Sequence, residues 1–506
     1  MDDPPRAAPL DELIAQAQDT HVIVIGAGIG GLVAALSCAK IGIRVTVVEA
    51  SDRLGGTVHT AQVGGVPVDL GAEGYATRGG AVRALVDEVA LGDAVVVADL
   101  RADWIAGLPT GSAPVPASSV CGIPENPWDE RVRRIIGWRG TWRAYVDRLR
   151  PPLTIGQERS LGRLVRSRMG ERVLDRLVAP LSLGGFGIHP DDVDVEIAAP
   201  GLSNALTRTG SLAGAVAQVR AAAAPPETEH AGMEGIEGGM SRLVDALHSR
   251  LVGLGTQVIV GTRVAALEEL DDGRWAVVAD ADAADAADRG DASDPGTAAV
   301  TSALDPADAI IVATDAPEAH RLLAAVVPSL ELPSVTQLEV VTIVVSSPEL
   351  AAGPARTAVY PVAGYARAAQ VTDATARWPW LRRAAGEGVR VLKVTFGGPG
   401  ITPATAGLDD AAATDLALAE ASALLDVRLD PAAVRGAHRA RYAQPAPTSA
   451  LGRREAVDAA RAAIHGVAGV AAVGASVAGT GLAQVVPDAI AEAERVRRSA
   501  IFGGAT

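Results

Sequence analysis

Gly26, Gly28 and Gly31 follow the short β-branched run 21–25 (HVIVI), and a helical pattern (LVAALSCAKIG) follows them. Each glycine has its own task in such a turn: the tight bend, room for a diphosphate to reach the backbone, and close contact between helix and strand. With Ala27, Ile29 and Gly30 they form a loop whose helix aims its free N–H groups and positive dipole end at a phosphate. The next strand-like run, RVTVVE, ends in Glu49, and a carboxylate there accepts hydrogen bonds from ribose hydroxyls. A lone glycine pattern says little. The order strand, glycine loop, helix, strand, acid within roughly thirty residues is what points to a dinucleotide.

Glu49 runs directly into Ala50, Arg53, Gly55, Gly56 and Thr57, a basic residue and a glycine pair that suit a backbone following a long dinucleotide beyond the first loop. Gly71, Ala72, Glu73 and Gly74 supply another glycine turn shortly after. Near the other end, 474–483 (GASVAGTGLA) precedes the last helical pattern and aims a helix N-terminus at the same ligand, where it would stabilise negative charge on a reduced ring. No second strand–glycine loop–helix unit is seen downstream. A reductase drawing electrons from a nicotinamide usually needs one, so the pattern favours an oxidase with one tightly held dinucleotide.

A parallel sheet is needed to bring these residues to one edge. The unit from His21 to Glu49 is βαβ, which implies parallel pairing and a doubly wound α/β sheet. Residues 101–220 are rich in arginine and helical periodicity, whereas 330–445 hold strand-like runs such as QLEVVTIVVSS and VRVLKVTFGG. The expected domains are an N-terminal extension (1–19), a discontinuous dinucleotide-binding domain (20–100, 232–325 and 450–506), a helical domain (101–231) and a sheet domain (326–449). The acidic tract 279–298 buries little and reads as a hairpin tip between two strands, and 221–230 as a loop.

With 48% hydrophobic and 21% charged residues, the 506-residue chain has the composition of a globular protein. Its net charge of −15 argues against non-specific binding to nucleic acid or anionic lipid. Two cysteines, Cys38 and Cys121, argue against a disulfide framework and a cysteine metal site, and fit a reducing compartment. The first residues carry no apolar core of signal-peptide type and no apolar run is long enough to span a bilayer, so a cytoplasmic location without a transmembrane segment is expected.

Glu49…Arg53-Leu-Gly55-Gly56 together with GASVAGTGLA resembles the amine oxidase superfamily of flavoproteins, and more narrowly its protoporphyrinogen/coproporphyrinogen oxidases. The likeness begins near residue 20 and includes 161–187 (LGRLVRSRMGERVLDRLVAPLSLGGFG), 232–247 and 307–319; the first of these discriminates best within the superfamily. Residues 474–483 look like the soluble bacterial branch. The resemblance implies an FAD-binding Rossmann-like domain with sheet and helical substrate domains, as in amine oxidases and p-hydroxybenzoate hydroxylase. It implies non-covalent FAD, a porphyrinogen substrate and molecular oxygen as acceptor. Coproporphyrinogen III would become coproporphyrin III in haem biosynthesis, with release of hydrogen peroxide; protoporphyrinogen IX is the alternative substrate. Flavin N5 would accept the hydride, so neither a catalytic side chain nor a metal is expected. A chelatase is the partner such a product suggests.

By the same resemblance, 26–31 would hold the diphosphate, Glu49 the ribose, and Thr57 with 71–74 the stretch towards the flavin. Val264 would touch the adenine side through its backbone, and Thr480, Gly481 and Leu482 would approach the isoalloxazine, following Gly474. Two places depart from the pattern. Tyr442 falls where many relatives carry tryptophan near the flavin, and 184–190 reads GGFGIHP where relatives commonly read GVYAGDP, so substrate contacts there do not carry over. Two rival classes stay open. One is a relative oxidising amines or carotenoid precursors, which would lack the 161–187 pattern. The other is a non-enzymatic escort protein on the same fold, which usually loses the ribose acid and second glycine pair that are intact here.

Arginines 131, 133, 134, 139, 143, 148, 150, 163, 166, 168, 172 and 176 crowd one region, either as an entrance that recognises carboxylates or as a solvated helix face. Trp104, Trp128, Trp138 and Trp142 lie close by and read as core packing, with a lining for a flat macrocycle as the other reading. His189 reads as a loop or core residue, Cys38 as helix packing and Lys393 as a surface or strand-edge lysine, the other reading of Lys393, by resemblance, being the lysine that holds a water near flavin N5 in amine-oxidising relatives.

Overall fold

The run HVIVI becomes the middle strand of a five-stranded parallel sheet ordered Gln257–Ile259, Arg44–Val48, His21–Ile25, Ala309–Val312, Val470–Ala472. Every residue of that middle strand is buried, because both faces of the sheet are covered, and its unbroken apolar pattern follows from this. The computed structural model describes residues 10–100, 103–150, 158–223, 232–280 and 302–502.

On one face Leu32 and Leu36 of the helix Ile29–Ala39 pack with Leu243 and Leu247 of Ser241–Gly253 and Val486 of Leu482–Phe502. On the other face Ile23, Ile25 and Val48 meet Trp275 and Val277 of a three-stranded antiparallel sheet, with Leu322 and Ile464 from two further helices. The second layer is thus shared between helices and a small sheet. Two strands of that sheet, Trp275–Ala279 and Ser302–Ala303, pair antiparallel. Most of the tract 279–298, read as a hairpin tip between strands, lies outside the described residues. The run at 309–312 belongs instead to the parallel sheet.

A second sheet has seven strands, ordered Val434–Pro445, Val335–Ser346, Val389–Gly397, Gln370–Asp373, Ala358–Pro361, Asp103–Leu108, Gly111–Pro114. The first part of the stretch read as helical is therefore strand, and its helices begin with Glu130–Tyr145. Asp103–Leu108 escaped a sequence reading because Gly107 breaks a run of only six residues. The helix Asp410–Leu425 covers one face of this sheet with Ala417, Leu418 and Ala421 against Ile343 and Val394. On another side, the hairpin Thr60–Val63/Val66–Asp69 and Leu70 after it insert Val63, Val66, Val68 and Leu70 against Trp378, Trp380 and Val391, fastening the chain after the glycine pair to the sheet.

The helical region holds its own core of Ile135, Ile136, Leu161, Val165 and Leu177. The chain after Glu171–Val173 continues in wide π-type turns at Leu174–Val178 and Leu181–Gly185. Such turns are rare and gather at functional places. Here they lay the 161–187 stretch against the strand Ala358–Pro361: a Cβ on Gly184 would stand 2.4 Å from the Tyr360 ring. The loop read at 221–230 and residues 1–9 of the extension fall largely outside the described residues, and Leu10–Asp19 is helical.

Candidate cofactor site

The parallel order places His21–Ile25 at the point where the chain turns to opposite sides of the sheet, and the crevice beyond the carboxyl ends of such strands is where α/β folds bind ligands. The glycine loop sits in that crevice. Gly26 has φ +101°, and a Cβ there would lie 2.7 Å from the Ala313 carbonyl, at the end of the adjacent strand. A Cβ on Gly31 would lie 2.0 Å from the Gly26 carbonyl, and one on Gly30 would lie 3.1 Å from Cα of Gly474. Gly28 is different. A Cβ there meets nothing within 4 Å, so its missing side chain leaves open space directly in front of the helix. The helix starts at Ile29 with no side-chain cap, which leaves the N–H groups of its first turn available to an anion.

The second glycine pair is sewn to the first loop. Gly55 N donates to the Ala27 carbonyl at 2.8 Å, Gly28 and Gly55 form an isolated β-bridge, and a Cβ on Gly56 would stand 3.3 Å from Cα of Gly28. Glu49 closes this seam: its Oε2 accepts from Ala27 N at 2.7 Å, and its Oε1 accepts from Ser51 N and Oγ at 2.9 and 2.7 Å. The carboxylate thus holds the 26–31 loop in place. Ala50 and Arg53 are exposed beside it. Thr262 N donates to the Glu49 carbonyl, which brings the strand Val264–Glu269 alongside, and the Val264 carbonyl accepts from Arg321.

The 71–74 turn lies against the same seam. Ala72 N donates to the Thr57 carbonyl at 3.1 Å, and a Cβ on Gly71 would stand only 1.9 Å from that oxygen. Tyr442 donates its hydroxyl to the Leu70 carbonyl at 2.9 Å, so the residue standing in for tryptophan is tied to this turn. From the other end of the chain, Gly474 packs on Gly30, while the exposed Thr480, with Gly481 and Leu482, turns into the last helix beside the first one. Gln484 spans that turn, accepting from Gly481 N and donating to Thr448 Oγ1 at 2.9 Å. All the glycine segments therefore meet at one edge. Open space at Gly28, an uncapped helix and an acid at the next strand's end fit a dinucleotide.

Lys393 corrects the reading of it as a surface or edge lysine. It stands in the strand Val389–Gly397, between two antiparallel partners, and is only 7% exposed. Its Nζ lies 2.6 Å from Glu73 Oε1, while Glu73 Oε2 accepts from Trp378 Nε1 at 3.0 Å and Arg377 lies 3.5 Å away. Burial pushes the Glu73 carboxyl up, but Lys393 and Arg377 outweigh it and hold the group below the usual carboxylate range. The signal was present: a charge flanked on both sides by apolar residues in VRVLKVTFG marks a buried, paired lysine. What the sequence withheld was the partner.

Asp69, just before this turn, accepts from Thr60 Oγ1 at 2.5 Å and Met240 N at 2.8 Å, yet burial pushes its carboxyl up to about 6. A raised acid binds more protons folded than unfolded, so its stabilising effect is full below the unfolded value and declines as pH rises through the folded one. Wild-type protein should lose on the order of 2–3 kcal/mol between about pH 4 and 6 from this group. Asp69→Asn, which still accepts through Oδ1, should flatten that decline in urea unfolding curves measured across the range. An unchanged pH slope would contradict this.

The arginine-rich region is less open than its sequence suggests. Arg168 pairs with Asp147 at 2.5 Å, Arg166 with Asp191 and Glu171, and Arg134 with Glu130. Arg143 donates to the Ser167 and Arg168 carbonyls at the end of the helix Leu161–Arg168. Arg139, Arg143, Arg166 and Arg172 nevertheless line a cavity of about 420 Å³. Core packing does not describe all the tryptophans. Trp138 and Trp142 are 61% and 55% exposed in an edge-to-face cluster with Trp128 and Tyr145, and Trp104 lies elsewhere, under Arg356. His189 caps the turn Pro190–Asp192 as a loop residue, and Cys38 is buried in the first helix, its thiol pushed up to about 12.

The fold and this edge define a flavoprotein type of dinucleotide-binding protein. Residues 29–497 match the family of flavin containing amine oxidoreductases, and the chain belongs to that family. A coproporphyrinogen III oxidase of Propionibacterium freudenreichii is 28% identical over 51% of this chain and 55% of its own length. The chain thus spans about half the length of that relative. One of Mycobacterium leprae is 27% identical over 81% of this chain and 84% of its own. Among solved structures, a protein proposed to be a protoporphyrinogen oxidase from Exiguobacterium superposes with a TM-score of 0.76 at 20% identity, covering 96% of this chain and 99% of that one, which establishes the shared fold. Among the described residues no helix is long and apolar enough to cross a membrane.

Proposed function

We propose that this protein binds FAD non-covalently and oxidises coproporphyrinogen III to coproporphyrin III, with molecular oxygen as acceptor and hydrogen peroxide as product. The observation that carries the cofactor reading is the seam in which Gly28 meets Gly55 and Glu49 holds Ala27, which joins both glycine loops and the acid at one edge. The relatives named coproporphyrinogen III oxidase support the substrate. The bound flavin would supply the hydride acceptor. The chain's own part is to hold the diphosphate at the 26–31 loop, the ribose at Glu49 and the redox ring between the 71–74 and 480–482 turns. Neither Cys38, deep in the first helix, nor Cys121, whose thiol approaches the Ala198 carbonyl in the helical region, adjoins these segments, which favours a non-covalent cofactor.

Purified yellow protein, mixed anaerobically with coproporphyrinogen III or protoporphyrinogen IX and then exposed to air, should develop porphyrin fluorescence and peroxide, faster with the former. No fluorescent porphyrin from either substrate would end the proposal. One observation favours a second reading. The buried Lys393 reaches the 71–74 turn, and in amine-oxidising relatives a lysine stands near the flavin. Peroxide release with a panel of amines, without porphyrin formation, would select that reading.

A further inference from the structure

Arg453 begins the helix Arg453–His465, straight after Gly452, whose φ of 75° turns the chain inward. It is 4% exposed, and among the described residues no carboxylate pairs with it. Its Nη2 donates to the Ala475 and Ser476 carbonyls at 3.3 and 3.2 Å. Its Nε and Nη1, which carry most of the guanidinium's N–H donors, are buried without a partner. A buried cation of this kind is costly unless a counter-charge joins it. Backbone carbonyls answer only the smaller part of its donors.

Arg453 also lines a cavity of about 270 Å³. Ile197, Val457 and Val477 give that cavity apolar walls, while the exposed Arg454 and Asp458 offset each other, leaving Arg453 as its net charge. The space is too small for a flat macrocycle but ample for one of its side arms. It shares no residue with the 26–31 loop, yet Val477 and Ala478 in its wall lie between Gly474 and Thr480, the two points expected to face the cofactor. A ligand anchored here would reach towards that turn.

We propose that this cavity is a carboxylate subsite, in which Arg453 receives one carboxylate carried on a short apolar arm that lies against Ile197, Val457 and Val477. Assigning the arm to a propionate of the substrate rests on the porphyrinogen reading; a free short-chain carboxylate is the other source of the same chemistry. The subsite requires only the buried guanidinium and its apolar walls.

The flavin-loaded protein is titrated with coproporphyrin III, with its tetramethyl ester, and with sodium propionate, following flavin fluorescence and melting temperature. Wild-type protein should bind the tetra-acid roughly 10- to 100-fold more tightly than the ester, the range that charge-assisted hydrogen bonds supply. Arg453→Met should bring the acid down to the ester's affinity, leave ester binding and flavin content unchanged, and abolish stabilisation by propionate. Arg453→Lys should fall between. Ile197→Glu, which leaves Arg453 in place and offers it an internal partner, should lose acid binding while melting no lower than wild type. Equal acid binding by wild type and Arg453→Met, loss of flavin from that variant, or undiminished acid binding by Ile197→Glu would each overturn the subsite. Should neither porphyrin bind but propionate stabilise wild type alone, the subsite stands and the porphyrinogen reading fails.

Discussion

Gly28→Val should yield a folded, colourless protein. A Cβ at this position meets no atom within 4 Å, and its φ of −65° is one that any residue adopts, so the chain alone bears little strain. Its unfolding free energy without cofactor should stay within about 0.5 kcal/mol of wild type, as for substitutions that touch nothing. The same side chain fills the space through which a diphosphate approaches the uncapped helix, so flavin affinity should fall by about 3 kcal/mol or more, over 100-fold. Gly31→Val is the contrasting variant. Its Cβ would stand 2.0 Å from the Gly26 carbonyl, so it should lower apoprotein stability as well as flavin content. Flavin absorbance after gel filtration, with urea unfolding of the apoproteins, separates the two. A yellow Gly28→Val protein would remove the basis for the dinucleotide site.

Lys393→Met should be the most destabilising single change near this site. The substitution leaves Glu73 buried beside Arg377 at 3.5 Å, with its partner at 2.6 Å gone. Removing one member of a buried pair costs about 3–5 kcal/mol, because the remaining charge is uncompensated. The pH dependence carries the sign. In wild type the depressed Glu73 carboxyl contributes stability present above its unfolded value and lost as pH falls through the folded one. Without Lys393, burial dominates and the group's pKa rises. The variant should then be weakest near neutrality and recover towards acid pH, where Glu73 is protonated. Combining Lys393→Met with Glu73→Gln should restore about half or more of the loss, since replacing both members of a buried pair is far milder than replacing one. A single variant with wild-type stability at pH 7 in urea unfolding would refute the pairing.

The two variants bear on different stages of assembly. Gly28→Val tests access of a ligand to a loop that already folds. Lys393→Met tests how firmly the 69–74 segment is held against the seven-stranded sheet. The hairpin Thr60–Val63/Val66–Asp69 makes the same junction through Val66, Val68 and Leu70. Apolar burial and a paired charge thus act together where this segment meets the seven-stranded sheet.

The glycine loop, the acid after the second strand and the parallel unit around them were readable from the chain alone, because their demands are local. A positive φ at Gly26, or a carbonyl that would stand 2.0 Å from a Cβ at Gly31, is met by one residue type, and the periodicity of HVIVI and LVAALSCAKIG announces the elements on either side. The strand Asp103–Leu108 was not readable, since a six-residue run broken by Gly107 has too little period to outweigh the arginine-rich helices after it. Nor was the burial of Lys393 and Arg453. A charged residue's meaning depends on whether it is buried and on what stands opposite, and Glu73 reaches Lys393 only after two separate sheets have packed together. Burial, and whether a partner stands opposite, are properties of the assembled fold, and they alone distinguish Lys393, paired with Glu73, and Arg453, buried with two nitrogens unpartnered, from ordinary surface cations.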